Sequence, residues 1–394
     1  MSNAQKIFKL NQAQTFPFPS CLEIKSAKGS YIKDVNDKEY LDFVAGVSAC
    51  TLGHSNSIII ESIKNQLDKY THVMVYGEYV QSPQYKLAKL LADNLPKQLS
   101  TTYFVNSGTE AIEGAIKLAK RSTERSEIIS CKNSYHGSTN GSLSVMGNEA
   151  QKTKYRPLLP DCNNIRFNDH ESLNRITEKT AAVIIEPIQG ATGFLVSDKD
   201  FLYKIRKKCN KTKTILIFDE IQSCFGRTGN LFAFEQYNVI PDILCIAKGM
   251  GGGMPIGAFI SSYDLMKLLS VNPFLGHITT FGGHPVNCAA SYATLNKLIN
   301  SNIMRDVKEK EKLFRSELNH PAIKEIRGRG LMLSVELDNE CITKKLVEKS
   351  LKEGLILFYF LFTKTSIRIT PPLTISNEEI IKGCRIIKGI LNSI

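Results

Sequence analysis

From residue 102 to about residue 262 the chain alternates short β-branched or apolar runs with helical patterns, and few architectures accept that rhythm. The runs fall at 103–105, 128–130, 182–185, 215–218, 243–246 and 258–260. Strands separated by helices predict an α/β fold, with a largely parallel sheet covered on both faces. Ligands of such sheets sit beyond the carboxyl ends of the strands. Upstream, segments 29–34 and 38–43 flank Val35-Asn36-Asp37, a set of turn residues that predicts a hairpin. Downstream, 330–336 and 366–370 read as strands with a helix over 342–352 between them. A closing helix runs to Leu391, opened by Ser376 with Glu379 three residues later. The chain of 394 residues therefore divides into an N-terminal segment 1–55, a large domain 56–309 and a small α+β domain 310–394 that the N-terminal segment joins.

Several function classes fall away on composition. The longest apolar run, 355–362, is far short of the roughly 18 residues of a membrane span. The polar start, 1–10, lacks the basic-then-apolar layout of a secretory signal, which predicts a soluble cytoplasmic protein. Ten cysteines are scattered singly, with no C-x-x-C pair and no zinc-ligand spacing, so reduced thiols and no metal are expected. The formal charge of +12 is spread along the whole chain rather than gathered into a basic block. A solvated surface and an anion-seeking site account for it without nucleic acid.

Three strand ends carry chemistry. The apolar run 215–218 stops at Asp219 and Glu220, and a carboxylate leaving a buried strand is costly unless it meets a cation, a metal or a helix start. The run 243–246 leads to Lys248 and then Gly249, Gly251, Gly252 and Gly253. A desolvated lysine beside glycines suits a nucleophile, and a surface lysine on a flexible loop suits the same spacing. The run 103–105 leads to Asn106-Ser107-Gly108-Thr109-Glu110-Ala111 and a helical pattern. Such a helix start is a phosphate cradle or simply a well-capped helix. Phosphate site, carboxylate and amine together are what pyridoxal phosphate asks of a protein.

Over nearly its whole length the chain resembles the class III pyridoxal-phosphate aminotransferases, the group of acetylornithine, ornithine and 4-aminobutyrate aminotransferases. The resemblance rests on Asn106-Ser-Gly-Thr-Glu-Ala, Tyr135-His136-Gly137, Glu186-Pro-Ile-Gln-Gly190, Phe218-Asp-Glu-Ile-Gln222, Phe225-Gly-Arg-Thr-Gly229, Lys248 with its glycines, Thr280-Phe-Gly-Gly-His-Pro285 and Ile367-Arg-Ile-Thr-Pro-Pro372. It implies the aspartate-aminotransferase-like fold, called fold type I. It also implies that Lys248 carries pyridoxal 5′-phosphate as a Schiff base and then moves the proton. Asp219 would keep the pyridine nitrogen protonated, and Gln222 would meet the phenolic oxygen. Ser107, Gly108 and Thr109 would hold the phosphate. Tyr135 would stack on the ring, with His136 and Glu186 beside it. Thr280 would reach the phosphate of a neighbouring subunit's cofactor, making the active unit a homodimer. Arg368 would grip a substrate carboxylate through its planar guanidinium.

Two departures fall on positions that read the substrate. Where acetylornithine and ornithine enzymes carry an arginine after Tyr-His-Gly, this chain has Ser138. Where they carry a glutamate that pairs with the carboxylate-binding arginine, it has Ala191, which leaves Arg368 available in both half-reactions. A third, Cys224 before Phe225-Gly-Arg-Thr-Gly229, concerns loop packing. The expected activity is transfer of an ω-amino group of the N-acetylornithine or ornithine type to 2-oxoglutarate. A 4-aminobutyrate enzyme, a glutamate-1-semialdehyde-type aminomutase and a non-catalytic basic scaffold are the rival readings.

Overall fold

The computed structural model describes residues 1–74 and 77–394. Its central sheet has seven strands, in the spatial order Thr101–Val105, Gly257–Ser261, Ile243–Ile246, Ile215–Asp219, Thr180–Ile185, Glu127–Cys131 and Cys162–Ile165. All neighbours run parallel except Gly257–Ser261, which is antiparallel to both of its partners. The six predicted strands are present. The seventh, Cys162–Ile165, escapes a reading by apolar runs because Asn163 and Asn164 fill its centre. Their amides bond across the strand pair to Glu127 (2.9 Å) and Ser130 (2.7 Å), which compensates for poor strand propensity.

Continuous apolar runs are explained by burial on both faces. Successive side chains point to opposite sides, so Val183, Ile185, Leu216, Phe218, Leu244 and Ile246 enter one core while Ala182, Ile184, Ile217, Ile243 and Cys245 enter another. Helix Gly108–Thr123 covers the second face through Ala111, Ile112, Ala115, Ile116 and Ala119. Its approach is close: a Cβ on Gly114 would stand 2.3 Å from the Phe259 ring. Each fully buried Ile or Leu contributes about 1.5–3 kcal/mol, so Gly114→Ala, whose methyl would push against the Phe259 ring, disturbs this packing.

Both chain ends share one smaller sheet. Tyr31–Asp34 and Glu39–Asp42 pair antiparallel around a turn in which Asp34 accepts from the N–H groups of Asn36 (2.9 Å) and Lys38 (3.0 Å). Leu355–Ile356 then adds in parallel to Glu39–Asp42. A second four-stranded sheet orders Ile323–Arg329, Met332–Leu337, Ser366–Ile369 and Phe358–Tyr359. Helix Asn377–Leu391 carries the expected Ser376/Glu379 capping box. Among the described residues no helix is long and apolar enough to cross a membrane and no group could hold a metal ion. All ten cysteines are free.

Candidate active site

The parallel strands deliver their functional side chains to one edge of the sheet. Asp219 ends Ile215–Asp219, Glu186 follows Thr180–Ile185, Lys248 lies two residues past Ile243–Ile246, and Ser107 two past Thr101–Val105. Tyr135 and His136 occupy the loop after Glu127–Cys131. Asp219 is buried; Oδ1 accepts from the Ile221 N–H at 3.0 Å and Oδ2 lies 2.7 Å from Nδ1 of His136. His136 is buried as well, and among the described residues its Nε2 meets no partner. Burial alone would depress the imidazole, but the Asp219 hydrogen bond and the charges of Asp219 and Glu186 outweigh it and raise its pKa.

Glu186 accepts from the N–H groups of Gly190 (2.9 Å) and Tyr135 (3.1 Å). Burial and the nearby Asp219 charge push its carboxyl up to about 7 against the opposing pull of His136 and the two N–H groups. Glu220, next to Asp219 in sequence, faces the other way. Its carboxylate accepts from the N–H groups of Ala233 (2.6 Å) and Phe234 (2.7 Å) and from the Ser223 hydroxyl (3.2 Å), fastening the loop that follows. The two acids that leave the strand together thus separate into one site residue and one structural anchor.

Lys248 begins a short turn with φ +45 and is largely enclosed by protein. Desolvation lowers its pKa, against the charges of Asp219 and Glu186 and aided by Arg368, so the amine is easier to free of its proton than an exposed lysine. Cys224 packs its Sγ 3.8 Å from the carbonyl of Ala247, just ahead of the lysine. Gln222 donates from Nε2 to the Ser48 hydroxyl at 3.3 Å, while its Oε1 lies where a Cβ on residue 190 would come within 2.5 Å. Gly190 is therefore required for Gln222 to reach the site. Ser48 belongs to a left-handed turn, Ala45 to Ser48, that the sequence reading did not identify.

At the start of helix Gly108–Thr123, Ser107 caps by accepting from the Glu110 N–H at 3.3 Å. The N–H groups of Gly108 and Thr109 make no hydrogen bond among the described residues, leaving two donors and the helix dipole for an anion. The hydroxyl of Thr109 instead contacts those of Thr139 (2.7 Å) and Ser142 (2.6 Å).

Arg368 lies on Ser366–Ile369 and is 6% exposed. Its guanidinium sits 4.8 Å from the Phe360 ring centroid and 6.0 Å from that of Phe194, and burial draws its pKa down to about 10. Nε donates to the Tyr359 carbonyl at 3.1 Å, and among the described residues the guanidinium has no carboxylate partner. Tyr135 is half-buried, with its hydroxyl 3.2 Å from that of the exposed Ser138. Thr280 is exposed, next to Thr279, whose hydroxyl accepts from Asn106 at 3.0 Å.

These groups fit pyridoxal phosphate. A desolvated amine, a buried acid for a ring nitrogen, unused helix-start N–H groups for a phosphate and a half-buried tyrosine for a ring meet at one sheet edge. Such a fold and such a site define an enzyme whose chemistry resides in a bound aldehyde cofactor. The chain matches the pattern of the family "Aminotransferase class-III" over residues 13–391. It is 37% identical over 369 residues to an acetylornithine aminotransferase of Clostridium acetobutylicum, covering 90% of this chain and 92% of that one. It is 40% identical over 372 residues to that of Methanocaldococcus jannaschii, covering 90% and 89%. The solved ornithine aminotransferase of Toxoplasma gondii superimposes with a TM-score of 0.91 at 28% identity, covering 98% of this chain and 94% of that one. The chain belongs to the class III aminotransferases, enzymes that depend on pyridoxal phosphate.

Proposed function

We propose that this aminotransferase moves the terminal amino group of an ω-amino acid of the N-acetylornithine or ornithine type to 2-oxoglutarate, leaving an aldehyde and forming glutamate. The observation that carries the proposal is Arg368: a guanidinium beside two aromatic rings, with no carboxylate partner among the described residues. Such a group is costly to keep dry unless a ligand carboxylate completes it. Alanine at position 191 leaves it available to donor and acceptor alike. The names of the curated relatives support the same donor class.

Bound pyridoxal phosphate supplies an aldehyde carbon and an electron-withdrawing ring. Lys248, its amine readily neutral, serves as nucleophile and then as the base at the substrate carbon bearing the amine. Asp219, oriented by its hydrogen bond with His136, would hold the proton on the ring nitrogen. The N–H groups of Gly108 and Thr109 orient the phosphate. Gln222, fixed by Ser48, aligns the phenolic oxygen. We read the working unit as a homodimer completed by Thr280. In support, the exposed Tyr79, Val80 and Tyr85 border a groove with Thr279, and Ile278 and Phe281 are exposed on the same segment.

Ser138 supports a second reading. It offers a hydroxyl rather than a cation to the donor's carboxylate, which weakens the grip expected for N-acetylornithine or ornithine and opens the site to another ω-amine, such as 4-aminobutyrate. Absorbance of the holoenzyme under single additions of N-acetylornithine, ornithine, 4-aminobutyrate and glutamate separates the two. Loss of the cofactor's visible band with glutamate and with N-acetylornithine or ornithine is the expected result. Loss with 4-aminobutyrate in their place moves the donor. Equal reactivity of Lys248→Ala would overturn the proposal altogether.

A further inference from the structure

Glu113 lies on helix Gly108–Thr123, one turn past Thr109, and among the described residues it is in no ion pair. Its Oε1 accepts from the Ser142 N–H at 3.0 Å and from the Thr139 hydroxyl. The glycine at 141 makes this possible, because a Cβ there would stand 2.0 Å from Glu113 Oε2. The glycine at 137 likewise spares the Thr109 hydroxyl, which a Cβ would approach to 2.3 Å. Two glycines thus admit the loop that bears Ser138 against this helix.

Donor counting fixes the direction of the hydroxyl chain. A carboxylate only accepts, so the Thr139 hydrogen goes to Glu113. The 2.7 Å contact of Thr109 with Thr139 then uses the hydrogen of Thr109, and the 2.6 Å contact of Thr109 with Ser142 uses that of Ser142, whose contacts with the Thr139 hydroxyl (3.0 Å) and carbonyl (3.1 Å) are longer. The order is Ser142 to Thr109 to Thr139 to Glu113. Thr109 also accepts from the Thr139 N–H at 3.3 Å, so its hydroxyl has no hydrogen left to give outward. An anion at this helix start is met by main-chain N–H groups, not by the threonine hydroxyl.

We infer that Glu113 is a positioning residue: through Thr139 and Ser142 it locks Thr109 and the 137–142 loop so that the helix start presents main-chain N–H groups and the Ser107 hydroxyl, and not the hydroxyl of Thr109, to the cofactor phosphate. The inference rests on the reading that the phosphate lies at Ser107 to Thr109. Glu113 acts by accepting hydrogen bonds, since its negative charge by itself opposes an anion.

The test is absorbance titration of the apoenzyme with pyridoxal phosphate and, separately, with pyridoxal, which has no phosphate. Glu113→Ala should weaken pyridoxal phosphate about tenfold, the effect of one or two lost hydrogen bonds, and leave pyridoxal affinity unchanged. Glu113→Gln keeps the accepting oxygen without the charge and should bind at least as tightly as wild type. Unchanged affinity in Glu113→Ala, tighter binding in both variants, or an equal loss for pyridoxal each overturns the inference. Thr139→Val removes the same link from the other side; it should give the Glu113→Ala pattern and serves if that variant fails to fold. Ser107→Ala probes the underlying reading. If it leaves the preference for the phosphorylated ligand intact, the phosphate lies elsewhere and both ideas fall; if it alone reduces that preference, only the role of Glu113 falls.

Discussion

Nδ1 of His136 stands 2.7 Å from Oδ2 of Asp219, and water is excluded from both side chains. Burial disfavours a charged imidazole, but the Asp219 hydrogen bond and the charges of Asp219 and Glu186 outweigh it. The imidazole pKa is raised in the fold, so its contribution to stability is complete below the ordinary histidine value of about 6.5 and is lost as pH rises through the raised value. His136→Gln, which donates to Asp219 without a charge, should therefore cost more at pH 6 than at pH 9 when urea unfolding is compared with wild type. A difference that does not change with pH would show that the imidazole carries no charge in the fold. The same variant should lower cofactor affinity roughly tenfold, because Asp219 loses the charge-assisted hydrogen bond that orients it.

Glu220 gives a slope of the same sign from an acid rather than a base. Burial raises its carboxyl to about 7 in spite of three donors, so the folded chain binds this proton more tightly than the unfolded chain. Stability is lost as pH climbs from the ordinary glutamate value to about 7, by about 3 kcal/mol in total. Glu220→Gln gives up one accepted hydrogen bond but has no proton to lose. Wild type should be favoured over the variant more at pH 5 than at pH 8 in chemical denaturation, and parallel curves would sink the idea.

The strands, the closing helix and the two charged strand ends were legible because each is a local pattern: an apolar run, a capping box, a carboxylate or amine at a run's end. Roles that depend on distant partners were not. Gln222 is aligned by Ser48, 174 positions away, through a turn of residues that carry no left-handed signature apart from Gly46. Glu220 and Asp219 look alike in sequence, and only the loop at Ala233 and Phe234 distinguishes them. The committed direction of the Thr109 hydroxyl depends on Thr139 and Ser142, thirty and more residues on. Asn163 and Asn164 form a strand because a neighbouring strand offers acceptors, which composition does not announce.

Arg368→Lys keeps the charge and gives up the planar fork. A lysine in the same place can donate to one carboxylate oxygen where the guanidinium donates to two. KM for 2-oxoglutarate should rise about 10- to 100-fold, the value of a lost charge-assisted bond, with the visible spectrum of the bound cofactor unaltered. Because no carboxylate among the described residues competes for Arg368, KM for the amino donor should rise by a similar factor. A rise confined to one substrate would mean that the other carboxylate is read elsewhere.

The turn from Ala45 to Ser48 holds four successive residues at positive φ, among them Val47 at φ +57 and ψ +53. A β-branched side chain costs about 1–2 kcal/mol there, so the surroundings must impose the shape. Asp42 does so by accepting from the N–H groups of Val44 (2.7 Å) and Ala45 (3.1 Å), and Thr370 by donating to the carbonyls of Phe43 (2.7 Å) and Val44 (2.9 Å). The result is a Ser48 hydroxyl held within reach of Gln222. Val47→Gly relieves the strain while adding backbone freedom to the unfolded chain. The two effects nearly cancel, so its unfolding free energy should stay within about 1 kcal/mol of wild type, whereas Val183→Gly in the buried strand should cost several times that. Ser48→Ala leaves the turn intact but frees Gln222. Its kcat should fall about three- to tenfold, in line with one lost hydrogen bond, with cofactor affinity retained. If Val47→Gly proved as damaging as Val183→Gly, the left-handed turn would not be strained. If Ser48→Ala turned over at the wild-type rate, the turn would have no part in aligning Gln222.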